Sequence, residues 1–318
     1  MHITETAIPG LLIIDLDVHG DNRGWFKENW QREKLTGLAP ELASFQPVQN
    51  NISFNHAGAT RGLHAEPWDK LISVAQGKIF GAWCDLREGS ESFGEVITHE
   101  IGPETAVFVP RGVANGFQAL EDTSYSYLVN EHWSAEARYA AVNLDIVDWP
   151  MVPTEVSEKD KQHPSLEEVS PMPARRILVT GANGQLGRAL KRLLGDAEFC
   201  SHADFDITNP PERNWKQYSA IINCAAYNDV NGAENDRAAA WAVNAEGPAK
   251  LARIAAENQI TLVHVSSDYI FDGANEVHTE AELPSPLSAY GASKAAGDTA
   301  AQTAPQHYVI RTSWVFGD

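Results

Sequence analysis

Tyr290 and Lys294 stand four residues apart in Tyr290-Gly291-Ala292-Ser293-Lys294. On a helix, that spacing puts a phenol and an ammonium on one face. A nearby ammonium favours phenolate and lowers the tyrosine pKa, which suits an acid that delivers a proton to a ketone. Such a pair is common on protein surfaces and gains meaning only from context. The context is the apolar run Arg176-Ile177-Leu178-Val179-Thr180, followed by Gly181-Ala182-Asn183-Gly184-Gln185-Leu186-Gly187. A strand, a glycine turn and a helix start let backbone N–H groups approach a pyrophosphate. Asn223-Cys224-Ala225-Ala226 and Ser266-Ser267-Asp268-Tyr269 end two further apolar runs, where a dinucleotide would pass.

A second group of candidates lies in the first half. Arg61-Gly62-Leu63-His64, Glu66 and Lys70 bring together a base, a carboxylate and two cations. A neutral imidazole is a suitable base near pH 7. A metal-binding barrel would place another histidine after Pro110-Arg111-Gly112, where Asn115 stands. One histidine and one carboxylate make a poor transition-metal site, so no metal is expected.

The elements that must position these groups differ between the halves. Residues 1–155 show short β-type runs between turn residues and no long helical periodicity. Ile72 and Val74 lie before Gln76-Gly77, Ile79 and Trp83 after it, which reads as a hairpin. Ala106-Val107-Phe108-Val109 runs into Pro110-Arg111-Gly112. Six of the nine tryptophans lie here, and aromatics suit a half-buried pleated surface. Many short strands predict a sandwich or jelly roll. From residue 175 the pattern becomes strand–helix alternation, with strands near 176–180, 197–200, 219–224, 260–266 and 307–312. Helices are expected near 185–194, 234–257 and 288–303. That alternation predicts a parallel sheet with right-handed crossovers, binding its ligand beyond the carboxyl ends of the strands.

The expected fold is therefore an all-β cupin-like jelly-roll barrel over 1–170, a linker at 171–175, and an α/β Rossmann-type sheet over 176–318. Pro150, Pro153, Pro164, Pro171 and Pro173 block regular structure between them. The first half of this stretch is expected to close over its own barrel, and residues 165–174 to form a plain connection.

Composition bounds the partners. The chain has 318 residues, 43% hydrophobic and 21% charged, enough for two cores. A net charge of −19, from 43 acidic and 24 basic residues, argues against nucleic-acid and anionic membrane partners. No apolar run approaches the roughly 20 residues that span a bilayer. No basic stretch precedes Leu11-Leu12-Ile13-Ile14, so a signal peptide is not expected. Three scattered cysteines suit a reducing cytoplasm.

Several ordered motifs in about residues 1–170 resemble the dTDP-4-dehydrorhamnose 3,5-epimerase family. They are His19-Gly20-Asp21-Asn22-Arg23-Gly24-Trp25-Phe26-Lys27-Glu28, Gln49-Asn50-Asn51, Arg61-Gly62-Leu63-His64, Lys70-Leu71-Ile72-Ser73-Val74, Val109-Pro110-Arg111-Gly112 and Val156-Ser157-Glu158-Lys159-Asp160. The resemblance implies cofactor-free inversion of carbons beside a ketone. It makes His64 and Asp160 a base dyad and Lys70 the oxyanion stabiliser. Tyr127 becomes the proton donor, with Tyr125 as the competing candidate. Arg23, Glu28, Gln49, Asn51, Arg61 and Asn115 become contacts to a dTDP-linked 4-keto-6-deoxysugar. A homodimer through this half is implied. The family usually has His where Asn115 stands and Arg where Ser73 stands, which leaves open whether one or both carbons are inverted.

Residues from about 175 onward resemble the extended short-chain dehydrogenases, and among them the dTDP-4-dehydrorhamnose reductases. The resemblance rests on Gly181–Gly187, Asp206-Ile207-Thr208 and Val265-Ser266-Ser267-Asp268-Tyr269-Ile270-Phe271-Asp272-Gly273. It implies Tyr290 as proton donor, Ser267 as its partner, and Lys294 as the group that tunes the tyrosine and holds the nicotinamide ribose. Gly181, Gly184, Gln185, Leu186, Gly187, Asp206, Ile207, Ala225, Ala226, Tyr290 and Lys294 would bind NADPH or NADH. Cys200-Ser201-His202 lacks a carboxylate for the ribose, so NADPH is expected to be tolerated, with Arg188 near its phosphate. Ala189 replaces an expected glutamate of a magnesium site, so no metal is expected here either. The reductases continue beyond Phe316-Gly317-Asp318 with a further lobe, so this half is expected to be truncated and to turn over little.

The product of the first resembled activity is the substrate of the second. Together they imply a bifunctional cytoplasmic enzyme of dTDP-L-rhamnose synthesis. The alternative is a single-site epimerase of another deoxysugar pathway with a non-catalytic NADP-binding regulatory module.

Overall fold

The protein is described from a computed structural model covering residues 1–135 and 137–315. Two compact units meet at the Ala174–Arg175 bond. Among the described residues, no helix is long and apolar enough to cross a membrane.

The first unit begins with β1 (His2–Glu5), β2 (Leu12–Asp15), β3 (Val18–Asp21) and β4 (Gly24–Lys27), then α1 (Arg32–Thr36) and α2 (Pro40–Ser44). It continues with β5 (Gln49–Asn55), β6 (Thr60–Ala65), β7 (Lys70–Gln76), β8 (Ile79–Asp85) and β9 (Val96–Ile101). β10 (Thr105–Val109), β11 (Val113–Ala119), β12 (Thr123–Val129) and β13 (Ala140–Ala141) complete it. One sheet has the order β1-β2-β10-β7-β12-β5 and the other β13-β6-β11-β8-β9. β3 and β4 form a separate ribbon.

Period-two patterning sorts the side chains. Along β5, Asn51 and Ser53 turn inward while Ile52 and Phe54 face out. Ile72, Val74, Ile79, Trp83, Val107 and Phe117 pack together as a core. Each such side chain contributes roughly 1.5–3 kcal/mol by leaving water.

Two expectations are corrected. Gln76-Gly77 does not close a hairpin: β7 pairs with β10 and β12, whereas β8 pairs with β11 and β9. The turn carries the chain from one sheet to the other. Gly77 takes φ +84°, and a Cβ there would sit 2.5 Å from the Asp122 carbonyl oxygen, so only glycine fits. Local alternation marks two strands and a turn but carries no sign of which sheet each joins.

The stretch 165–174, with its 171–175 linker, is not a tether. Met172 is fully buried, donates to the Leu86 carbonyl at 2.7 Å and accepts from Glu88 N–H at 2.8 Å. Arg111 Nη1 donates to the Pro173 carbonyl at 2.7 Å. Proline removes donors but leaves carbonyls, and Met172 between two prolines supplies the one N–H that this bridge requires.

The second unit contains β14 (Arg176–Thr180), α3 (Gln185–Lys191), β15 (Glu198–Cys200), β16 (Tyr218–Asn223), α4 (Gly232–Asn235) and α5 (Arg237–Trp241). α6 (Gly247–Asn258), β17 (Thr261–Ser267), α7 (Ala289–Ala301) and β18 (His307–Thr312) follow. The sheet is parallel, in the order β15-β14-β16-β17-β18. The order reverses at β14 and β16, which places the ligand crevice at their carboxyl ends. α6 buries Leu251, Ala252 and Ala255 with Ile221 and Leu262 of the sheet. The single helix expected over 234–257 is broken. Asp236 leaves helical geometry and its carboxylate caps α5 by accepting from Ala239 N–H, and a π turn spans Ala242–Glu246 before α6. Phe316, Gly317 and Asp318 lie outside the described residues.

Candidate active sites

The barrel site is built from both sheets. His64 lies on β6, directly opposite Asn115 of β11. Asp160 opens a short 3-10 turn, Asp160–Gln162, and its Oδ1 lies 2.8 Å from His64 Nε2. Its Oδ2 accepts from Gly62 N–H at 3.2 Å. Burial alone would raise the Asp160 pKa, but the bonds from His64, Gly62 and Ser157 outweigh it and hold the carboxyl at about 2. Asp160 is therefore ionised at neutral pH. An ionised carboxylate only accepts, so a neutral His64 donates from Nε2 and keeps its lone pair on Nδ1.

Lys70 begins β7 and Tyr127 lies on β12, both in the opposite sheet. The Lys70 ammonium pairs with the Glu66 carboxylate and stands 5.2 Å above the Tyr127 ring. Burial raises the Tyr127 pKa, Glu66 adds to this, and Arg61 works against it. His64, Arg61, Asn51, Lys70, Asn115 and Tyr127 all line one cavity of about 540 Å³. An adjoining cavity of about 520 Å³ shares His64, Glu66 and Tyr127 and adds Gln49, Trp68 and His163.

Tyr125 has another situation. It is 3% exposed, stacks on Phe117 at 4.3 Å, and its hydroxyl accepts from Asn115 Nδ2 at 3.4 Å. Burial pushes its phenol far above the ordinary range.

The expected substrate contacts divide. Asn51, Arg61 and Gln49 reach the cavities: Gln49 Nε2 donates to Asn51 Oδ1 at 2.9 Å, and Arg61 Nε to Asn55 Oδ1 at 2.7 Å. Arg23 and Glu28 do not. Arg23 sits exposed at the tip of the β3–β4 ribbon and pairs with Asp21, while Glu28 pairs with Lys34. The ribbon belongs to neither barrel sheet, so its charges stay outside the cavity of their own chain. Lys159 and His163 were not read from the sequence, yet both border this site. The available signal was the spacing from Asp160, one residue before and three after, within one turn.

In the second unit the glycine turn is tightly enclosed. Gly181 takes φ +69°, and a Cβ there would lie 2.6 Å from Ala225 N. At Gly187 it would lie 2.5 Å from the Gly181 carbonyl oxygen. Backbone from the ends of β14 and β16 thus meets where a side chain would intrude. Gly184, Gln185, Leu186, Gly187, Ala226, Ser267, Tyr290 and Lys294 line one cavity of about 560 Å³. These residues fit a dinucleotide: a side-chain-free cradle at one end and the serine, tyrosine and lysine at the other. Arg188, Lys191, Arg192 and Ser201 line a neighbouring cleft of about 590 Å³ beside β15. Asp204 is also there, but its carboxylate accepts from Ser201 N–H and Oγ at 3.0 and 2.6 Å.

Two expectations change here. Lys294 does not lower the Tyr290 pKa. The Lys294 Nζ donates to the Val265 carbonyl at 2.7 Å, and burial brings Lys294 itself down to about 8. Tyr290 is raised, first by burial and then by Asp268 and Tyr269, with Ser267 as the opposing hydrogen bond. Ile207 lines neither cavity described here; it is core, filling the space where a Cβ of Gly247 would sit. Asp206 is turned back onto Thr208 N–H and Oγ1, each at 2.8 Å.

Residues 5–168 match the family model of dTDP-4-dehydrorhamnose 3,5-epimerase, and residues 175–318 that of the RmlD substrate binding domain. The first half is 53% identical over 176 residues to a protein RmlC homolog of Streptococcus pyogenes serotype M6, covering 52% of this chain and 89% of that protein. The second is 40% identical over 155 residues to dTDP-4-dehydrorhamnose reductase of Mycobacterium tuberculosis, covering 45% of this chain and 51% of that enzyme. The chain thus spans about half the length of the curated reductases it matches. Among solved structures, RmlC from Streptococcus suis in complex with dTDP-D-xylose is 49% identical, with a TM-score of 0.51 over 54% of this chain and 94% of that one. By its jelly roll and by a model that spans its first half, the chain belongs to the dTDP-4-dehydrorhamnose 3,5-epimerase family, and residues 175–318 carry an RmlD-type Rossmann unit.

Proposed function

We propose that the chain catalyses two consecutive steps of dTDP-L-rhamnose synthesis. The barrel epimerises dTDP-4-dehydro-6-deoxy-D-glucose without a cofactor. The Rossmann unit supports NAD(P)H-dependent reduction of the resulting dTDP-4-dehydro-L-rhamnose. One observation carries the first reading: His64 and Tyr127 enter the same cavity from opposite sheets. Inverting a carbon beside a ketone requires proton removal on one face and proton return on the other. His64 Nδ1 takes the proton, and Asp160 stabilises the imidazolium that forms. The electron pair moves onto the ketone oxygen, where the Lys70 ammonium acts as a fixed countercharge. Tyr127 returns a proton to the opposite face.

In the second unit, the dinucleotide supplies the hydride when bound. Tyr290 places its proton at the ketone oxygen, Ser267 orients the phenol, and Lys294 offers an ammonium near the cofactor ribose. Because Arg188, Lys191 and Arg192 border one cleft, a 2′-phosphate finds cations there, which favours NADPH over NADH. A homodimer through the barrel accords with Ile52 and Phe54 exposed on the edge strand β5, and with exposed Trp25 and Phe26. Sedimentation velocity should show a dimer that Phe54→Glu weakens; a monomeric parent would sink that assignment. Its three unpaired cysteines suit a reducing cytoplasm.

The decisive experiment incubates the chain with dTDP-4-dehydro-6-deoxyglucose in deuterated water, with and without NADPH, and reads the sugar by NMR. Exchange at carbons 3 and 5 without NADPH, and reduction only with it, is the expected result. Exchange at one carbon would favour single-site epimerisation, a reading supported by a neutral Asn115 opposite His64.

A further inference from the structure

His163 closes the turn that begins at Asp160. Its side chain is 7% exposed, and its ring stands edge-on to His64 with centroids 5.0 Å apart. Its Nε2 lies 3.8 Å from the same Asp160 Oδ1 that His64 Nε2 approaches to 2.8 Å. The His163 ring makes only a weak hydrogen bond with the Val142 backbone, and neither nitrogen reaches a partner at full hydrogen-bond geometry among the described residues. A buried polar group left so is costly, and a bound ion is one recognised reason for such a group.

Ligand atoms of His64, Asp160 and His163 all lie within 4.8 Å of one another. A tetrahedral zinc ion with bonds of about 2.0–2.1 Å requires ligand atoms about 3.3 Å apart. The two separations from Asp160 Oδ1, 2.8 and 3.8 Å, bracket that value, and the third lies within 4.8 Å. We propose that His64, Asp160 and His163 form a binding site for a borderline divalent transition ion such as Zn²⁺, and that occupation switches off the epimerase base. The sequence weighed only His64 and Glu66 as metal donors; His163 supplies the second imidazole.

The inhibition follows from tautomers. Coordination through His64 Nε2 displaces the proton that this atom shares with Asp160. A neutral imidazole bound at Nε2 carries its proton on Nδ1, so the basic lone pair is lost. Three ligands beside the Lys159 ammonium describe a reversible inhibitory site and not a closed structural centre.

The test uses the full chain stripped of metal, with Zn²⁺, Co²⁺ or Mg²⁺ added alone. Co²⁺ should give visible absorption bands typical of a four-coordinate ion, weakened in both His163→Phe and His163→Gln. Zn²⁺ should halt deuterium exchange and EDTA restore it, while Mg²⁺, which prefers oxygen ligands, should do neither. In His163→Phe the half-inhibiting Zn²⁺ concentration should rise at least about 10-fold, the lower end of what even an outer partner contributes. Equal Zn²⁺ sensitivity of parent and variants, or Co²⁺ bands unchanged by them, would overturn the site. The inhibition arm rests on the epimerase reading and the Co²⁺ spectrum does not. Absent exchange with intact Co²⁺ bands would therefore count against the activity and leave the metal site standing.

Discussion

Asn115 Nδ2 donates to the Tyr125 hydroxyl across 3.4 Å inside the barrel, and this bond separates two tyrosines that share one strand face. Tyr125 is engaged and enclosed, while Tyr127 is half-buried beside Lys70. Tyr127→Phe should lower net epimerisation by about 10²–10⁴-fold, the usual worth of a positioned acid. Tyr125→Phe should change it only a few-fold. Product NMR measures both, and the reverse ranking would transfer the proton-donor role to Tyr125.

The dyad makes a second prediction. His64→Ala should slow deuterium exchange at the sugar carbons by at least about 100-fold. Asp160→Asn should leave the barrel folded yet cost up to about 10⁴-fold, because an amide stabilises no imidazolium and permits the wrong tautomer. Undiminished exchange in His64→Ala would remove it as the base.

Acid stability follows from two depressed carboxyls. Burial would raise the Asp85 pKa, but Arg87, Ser90 and Ser92 outweigh it and hold Asp85 at about 2, as Asp160 is held. Both lie below the unfolded value of roughly 4, so their stabilisation is present above that pH. It is lost as pH falls through the folded value, at about 2 kcal/mol for each group. The urea midpoint of the barrel should therefore drop between about pH 4 and pH 2, and Asp85→Asn should flatten that slope. A midpoint insensitive to pH in this window would contradict the assigned pairing.

For the Rossmann unit, calorimetric titration of the full chain should show NADPH binding at least as tightly as NADH. Arg188→Ala should weaken NADPH by roughly 10-fold and NADH little, the loss of about one charge-assisted contact. A strong NADH preference in the parent would mean that the cationic cleft does not receive the phosphate.

Gly181→Ala tests the cradle. The added methyl meets Ala225 N at 2.6 Å on a residue with φ +69°. Dinucleotide affinity should fall at least about 10-fold, or the unit should unfold, since such strain costs on the order of 1–3 kcal/mol. Circular dichroism melting separates the two, and unchanged affinity with unchanged melting would mean that the turn opens freely.

Much of the second unit was legible in the order of residues. Its strands alternate with helices, Gly181 and Gly187 stand where two backbones meet, and Tyr290 and Lys294 share one helix, all within short stretches of chain. The barrel's runs were legible too, but not their partners. Whether Gln76-Gly77 turns within a sheet or between sheets depends on β10 and β11, distant in sequence. His64 and Asp160 are 96 residues apart, and their hydrogen bond exists only because the chain after β13 folds back. The enclosure of Tyr125 beside a more open Tyr127, the anchoring of Met172, the outward Arg23, and the raised rather than lowered Tyr290 are likewise consequences of burial and neighbours. Periodicity and glycine geometry are properties of adjacent residues, so the sequence alone determined which segments turn, extend or coil and which motifs they carry. Dielectric, enclosure and hydrogen-bond partners arise only when distant segments pack, so the tertiary structure alone decided which side chains share a cavity and in what protonation state.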